Sequence, residues 1–123
     1  MISRRPAVWH HRSIASEPVI CEVVITAAGA DWLADFTRAL VTDRLAACGH
    51  TIEAIRSLYR WDGEIQDDRE ARVNLHTRLD LVDAIVERAN RDHPYDVPCV
   101  IALPVLAGNP DYIAWVLAET VNA

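Results

Sequence analysis

The stretch "TIEAIRSLYRWDGEIQDDREARVNLHT", residues 51–77, decides the fold. It divides at Asp62-Gly63, a dipeptide favoured in the two-residue turns of β-hairpins. The arms on either side, residues 51–61 and 64–76, are about twice as long as the ~5–6 residues usual for a strand. The stretch therefore predicts a hairpin that extends well past the sheet to which it belongs.

The residue pattern within the hairpin separates a buried part from an exposed part. Apolar and polar residues alternate in the second arm, which predicts one buried face, formed by Ala71, Val73 and Leu75. Large apolar residues also stand near the turn: Leu58, Tyr59, Trp61 and Ile65. Because a projecting two-stranded ribbon is only marginally stable and exposed apolar edges tend to find partners, we expect another copy of the chain to cover this tip.

The segments that flank the hairpin alternate between strand and helix patterns. Gly49 follows the first helical pattern as a stop signal, and Asn109 with Pro110 forms a typical start for the last one. Outside the hairpin, the predicted elements are a strand at 18–28, a helix at 31–48, a helix at 77–93, a strand at 99–106 and a helix at 108–121.

The resulting order is β-α-β-β-α-β with one further helix. This order predicts an α+β fold, a ferredoxin-like sandwich in which helices cover one face of an antiparallel sheet. The size fits a single domain, which we place at residues 18–123, and residues 1–17 are predicted to be a polar, flexible tail.

Composition limits the partners. The 12 cationic residues are all arginine and face 18 acidic ones, so the net charge of −6 argues against nucleic acid. No apolar run reaches the ~20 residues of a membrane-spanning helix, so membrane insertion is not expected. The odd number of cysteines, 3, with no recognisable export signal favours free thiols and a cytoplasmic location.

The segment "RDHPYDVPCVIALP", residues 91–104, contains the best candidate ligands, His93 and Cys99. An imidazole and a thiolate suit copper or zinc, but two ligands do not complete a site. A third ligand must come from elsewhere, and His76 or a neighbouring subunit is the candidate. If the pair binds metal, copper(I) or zinc(II) is the expected cofactor.

Two other interpretations of this segment stay open. In the first, the prolines stiffen a loop, His93 bonds to the preceding helix, and Cys99 packs as a small apolar residue. In the second, Cys99 is a nucleophile and His93 its base, which requires an accessible, stabilised thiolate. Cys21 and Cys48 are interpreted as packing residues. The loop after the first strand, "TAAGADW", lacks the C-x-x-C of copper chaperones, and no glycine-rich phosphate loop is present.

Several motifs together resemble one family, the CutA divalent-cation tolerance proteins. They are "DRLAACGHT", "SLYRWDGEIQ", "HPYDVPCVIALPV" and "GNPDYIAWV", and the resemblance covers approximately residues 19–120. It implies a ferredoxin-like homotrimer that is similar to the PII signalling proteins, with hairpins that pair between subunits. It also implies copper binding, a role in tolerance of divalent metals, and no established catalytic reaction.

The chain departs from this family pattern at positions that concern metal binding. Relatives commonly carry glutamate where Cys99 stands, lysine where His76 stands and, in some members, cysteine where Ile25 stands. A site carried over from the family would thus keep His93, lose one thiol and exchange a carboxylate for a thiolate. The alternative function is that of a PII-like regulatory module, which binds an unidentified small molecule or protein between subunits.

Overall fold

The predicted hairpin is present in the computed structural model, which describes residues 17–122. At its turn, Asp62 and Gly63 have φ angles of 54° and 78°. Both values lie in the left-handed region that a type I′ hairpin turn requires, and this explains why the Asp-Gly pair stands there. The predicted tail at residues 1–17 lies outside the described residues except for Glu17.

Four strands and three α-helices occur within residues 17–122. A short 3-10 turn, Leu79–Leu81, lies directly before the second helix. In chain order the elements are β1 (Ile20–Ala27), α1 (Ala30–Thr42), β2 (Cys48–Trp61), β3 (Glu64–Arg78), α2 (Val82–Asp92), β4 (Val100–Pro104) and α3 (Pro110–Glu119).

The strands form one antiparallel sheet in the order β2-β3-β1-β4. With the two helical crossovers, this order confirms the predicted ferredoxin-like fold. β1 pairs with β3 only from Ala71 to Arg78, so the outer part of the hairpin has no third strand. No helix in the described part of the chain is long and apolar enough to span a bilayer.

The core lies between one face of the sheet and the first two helices. Alternate residues of β1 and β3 are buried against apolar residues of α1 and α2, including Leu33, Leu40 and Ile85. The buried strand residues include Val23, Ile25, Val73 and Leu75. The residues between them point to the opposite face, which is therefore free to carry polar chemistry: Glu22, Thr26, Arg72, Asn74 and His76.

The first helix ends earlier than predicted, and this changes the environment of Cys48. α1 ends at Thr42, and Arg44 adopts a left-handed conformation with φ of 61°. The Arg44 guanidinium then donates to the carbonyl oxygens of Ala118 and Glu119 at the end of α3, over 2.7 and 3.1 Å. The predicted helical continuation to residue 48 is wrong because these contacts turn the chain, so Cys48 begins β2.

Gly49 also has a different role from the helix stop that the sequence predicted. It lies inside β2, where a Cβ atom would lie 2.6 Å from Thr37 Cγ2 and 3.0 Å from methyl groups of Val73 and Leu75. The position is glycine because α1 and β3 approach its backbone too closely for any side chain.

We expect Gly49→Ala to lower the free energy of unfolding by about 1–3 kcal/mol, since the added methyl group overpacks the core. Denaturant unfolding at fixed protein concentration measures the change. Gly108→Ala is the matched control, because a Cβ there would meet Ile113 at an ordinary contact distance of 3.6 Å. Equal stability of the two variants would contradict this explanation of Gly49.

Candidate functional site

A cleft of about 520 Å³ lies between the outer hairpin and the loop that follows α2. Aromatic and apolar side chains form much of its wall, and the exposed thiol of Cys99 also lines it. The wall residues of interest are Tyr59, Trp61, Tyr95 and Val97. The cleft thus combines an apolar surface with one soft metal donor.

His93 lies beside this cleft, but its ring is fully engaged within the chain. The side chain is buried, with 7% of its surface exposed. Its Nδ1 accepts a hydrogen bond of 3.0 Å from the backbone N–H of Tyr95. Its Nε2 therefore carries the proton and donates to the carbonyl oxygen of Thr26 over 2.8 Å. Neither ring nitrogen is free to bind a metal or to take a proton from Cys99 while these bonds persist.

The engaged ring explains how the loop after α2 is held. The backbone N–H of His93 bonds to Ala89 at the end of α2, and the imidazole contacts the ring of Trp32 with centroids 4.8 Å apart. His93 thus bonds to the preceding helix through its backbone N–H, whereas its ring bonds to β1 and to the loop. Cys99, in contrast, is exposed within the single chain and does not pack as a buried apolar residue.

Tyr95 connects the same loop to the hairpin. Its hydroxyl donates to Glu70 Oε2 over 2.9 Å, and Glu70 is buried with 8% exposure. Burial, and then the hydrogen bond to Glu70, raises the pKa of Tyr95 to about 12. The phenol is protonated at neutral pH, and its hydrogen bond to Glu70 holds the loop against β3.

His76 lies in a second cluster, on the sheet face opposite α1 and α2. It stands directly opposite Glu22 on β1 and Cys48 on β2, the strands that flank β3. One nitrogen, Nε2, is 2.9 Å from Glu22 Oε2, and the other, Nδ1, is 3.7 Å from Cys48 Sγ. Metal-ligating atoms of Cys48, His50 and His76 all lie within 4.8 Å of one another.

Cys48 and His50 were not predicted as members of this cluster, because the helical pattern of α1 continues through Cys48 in the sequence. The available signal was the "CGH" spacing, which places residues 48 and 50 on one face of a strand. This spacing indicates a metal site only when two further facts are known: β2 begins at Cys48, and His76 is the cross-strand neighbour of Cys48.

The three predicted ligands do not come together within one chain. His76 contacts Glu22, whereas His93 contacts Thr26, four positions further along β1 and thus roughly 13 Å away at ~3.3 Å per residue. His93 and Cys99 belong to the loop beside the cleft, and His76 belongs to the other cluster. A metal-binding role for these residues stays a prediction.

Comparison with known proteins places the fold and these motifs in one family. Residues 21–119 match the family model of the CutA1 divalent ion tolerance protein. Among curated proteins, CutA from Thermus thermophilus is 36% identical over 98 residues, which span 80% of this chain and 95% of that protein. Mouse CutA is 46% identical over 82 residues, or 67% of this chain, but the match spans only 46% of the mouse protein.

Solved structures agree with the sequence comparison. CutA1 from Oryza sativa superposes with a TM-score of 0.83 at 33% identity, covering 87% of this chain and 98% of that one. The divalent cation tolerance protein from Thermus thermophilus superposes with a TM-score of 0.80 at 34% identity, and the match covers 83% of this chain and 99% of that one. The chain therefore belongs to the CutA1 divalent ion tolerance protein family.

Proposed function

We propose that the chain forms a cytoplasmic, non-enzymatic homotrimer that binds copper or another divalent metal ion and contributes to metal tolerance. The observation that carries the proposal is the exposed thiol of Cys99 on an aromatic-walled cleft, in a chain of a divalent ion tolerance family. The cleft is formed by the same hairpin whose apolar tip we propose to be covered by neighbouring subunits.

Self-association is supported by apolar surface on the hairpin. Leu58 and Ile65 are 64% and 70% exposed, and Tyr59 and Trp61 are 42% and 54% exposed. This outer ribbon has only two strands, too few for independent stability in water. Contact with other copies would remove the apolar surface from water and stabilise the ribbon.

The sheet face opposite α1 and α2 also favours a partner chain. Arg72 Nε and Asn74 Oδ1 lie on this face, are buried, and have no hydrogen-bond partner among the described residues. The edge strand β4 exposes Ile101 and Leu103, at 55% and 48%. Buried polar atoms without partners are rare in native proteins, and a second chain packed on this face would also remove Ile101 and Leu103 from water.

Metal binding at the cleft is proposed to depend first on Cys99. A thiolate favours soft or borderline ions such as copper. His93 can join only by giving up the hydrogen bond from Tyr95 N–H, at a cost of about 1 kcal/mol. His76 is too distant within one chain, so further donors would come from a neighbouring subunit.

We expect the double variant His93→Ala, Cys99→Ser to lose the copper bound at the cleft while the trimer persists. Isothermal titration of metal-free protein, together with light scattering, measures both properties. Val97→Ala is the control, because it alters an exposed cleft residue that has no donor atom. Copper binding by the double variant that equals the unaltered chain would reject the cleft as the copper site.

A second function, that of a PII-like regulatory module, is favoured by the character of the cleft. Its volume of about 520 Å³ is within the ~300–1,000 Å³ usual for small-molecule sites, and aromatic residues line it. A small molecule or a protein segment that enters between subunits would contact Trp61. In this case Val97→Ala would weaken ligand binding, and the double variant would bind copper normally.

A further inference from the structure

We propose that Cys48, His50 and His76 form a second metal site, distinct from the cleft around Cys99. The three residues share the face of the sheet that α1 and α2 leave uncovered, since Cys48 pairs with His76 and His50 pairs with Asn74 across the β2–β3 ladder. One thiolate and two imidazoles select a soft or borderline cation, zinc(II) or copper(I), over hard ions. This inference does not depend on the proposed cleft site.

The spacing of the donor atoms matches such an ion. Tetrahedral zinc has bonds of about 2.3 Å to sulfur and about 2.0–2.1 Å to nitrogen, so its sulfur and nitrogen ligands stand about 3.6 Å apart. Cys48 Sγ and His76 Nδ1 are separated by 3.7 Å. His50 is within 4.8 Å of both and is exposed, so rotation of its side chain can close the remaining gap.

Glu22 prepares His76 for this role. Its Oε2 accepts a hydrogen bond of 2.9 Å from Nε2 of His76 and thereby holds the proton on that nitrogen. The lone pair of Nδ1 then faces Cys48 and accepts a hydrogen bond from the Tyr112 hydroxyl, which a bound metal would displace. Metal-binding histidines generally donate their other N–H to a carboxylate or carbonyl in this way, which orients the ring and makes it a better ligand. Glu22 is thus a positioning residue.

Tyr112 of α3 closes the other side of the cluster. Its hydroxyl is 3.3 Å from Cys48 Sγ and also within hydrogen-bond distance of His76 Nδ1. When a metal binds, the Cys48 thiol would release its proton to solvent, and the Tyr112 hydroxyl would move away from His76 Nδ1 and donate to the thiolate.

The same residues also resemble a thiol nucleophile with its base, because Cys48, His76 and Glu22 are aligned in that order. One feature favours a metal instead: His50 supplies a third donor that such a triad does not need.

The test uses the assembled, metal-free protein with Cys99→Ser, so that the cleft thiol cannot contribute. Cobalt(II) serves as the spectroscopic probe, and zinc(II) and anaerobic copper(I) are the competitors that rank the ion. We expect a thiolate-to-cobalt charge-transfer band, which Cys48→Ser abolishes. His50→Ala should weaken binding about tenfold or more, and because His50 is exposed this change leaves the core intact.

Glu22 gives a separate measurement. We expect Glu22→Ala to weaken cobalt binding by about 10–100-fold, and Glu22→Gln to restore most of the affinity because its amide oxygen still accepts from His76. The proposal would be overturned if no charge-transfer band appears, if the band survives Cys48→Ser, or if His50→Ala leaves the cobalt affinity unchanged. If no band appears and iodoacetamide labels Cys48 faster than Cys99 in the unaltered chain, Cys48 is a nucleophile instead.

Discussion

Two glutamates introduced at the tip of the hairpin are expected to convert the proposed trimer into folded monomers. Leu58 and Ile65 are the most exposed apolar residues of the ribbon, and their cross-strand partners, Asp67 and Arg60, place them on one face. In the variant Leu58→Glu, Ile65→Glu, association would bury two added charges in each subunit, and the one at position 58 lies directly opposite Asp67, a residue of like charge. The effective penalty is several kcal/mol per ion, enough to abolish assembly at micromolar concentration.

Light scattering and sedimentation of the variant should give a mass near 13.8 kDa, the mass of one chain. Val41→Glu is the control for added charge, because Val41 is an exposed residue of α1 and does not belong to the hairpin. This control should remain trimeric. A monomeric unaltered chain, or a double variant that keeps the full mass, would contradict the assembly and with it the proposed inter-subunit site.

The fold was predictable because local signals and burial agree in most of the chain. The Asp62-Gly63 turn set the hairpin, and alternation at Ala71, Val73 and Leu75 identified the buried face of β3. Asn109 caps α3 as predicted, with its side-chain oxygen accepting from Asp111 N–H over 3.0 Å. Each of these features involves residues that are close in sequence.

The errors arose where a distant contact decides the conformation. The helical pattern continues past Thr42, but the contacts of Arg44 with the end of α3 stop the helix there. No local signal records an interaction between residues more than 70 positions apart. Because the end of α1 also sets the start of β2, the same error hid Cys48 from the cluster with His76.

The candidate site was predictable only in part for a related reason. The sequence identified His93 and Cys99 as residues with suitable chemistry, but not that both nitrogens of His93 bond to backbone groups. It identified His76 without its neighbours, because cross-strand register brings together residues 22, 48 and 76. Metal donors from a neighbouring subunit are not predictable from the sequence of one chain, because their positions depend on how separate chains pack.

The largest loss of stability is expected from Leu75→Ala, which should lower the free energy of unfolding by about 2–5 kcal/mol. Leu75 is 0% exposed and lies where β3 faces α1, next to the backbone of Gly49. Because α1, β2 and β3 are already closely packed here, they cannot move far into the cavity that the substitution leaves, so the loss of unfolding free energy should lie in the upper part of this range. Denaturant unfolding at one fixed protein concentration measures it, because assembly also contributes to stability.

Leu79→Ala provides the matched comparison, since the same atoms are removed from a leucine that is 40% exposed. It should cost under about 1 kcal/mol, because part of its surface is already in water and no closed cavity forms. Leu75→Ala should in addition loosen His76, the next residue of β3, and so weaken the cobalt site as well as the core. Equal losses in the two variants would mean that stability resides in the subunit contacts and not in the core between the sheet and its two helices.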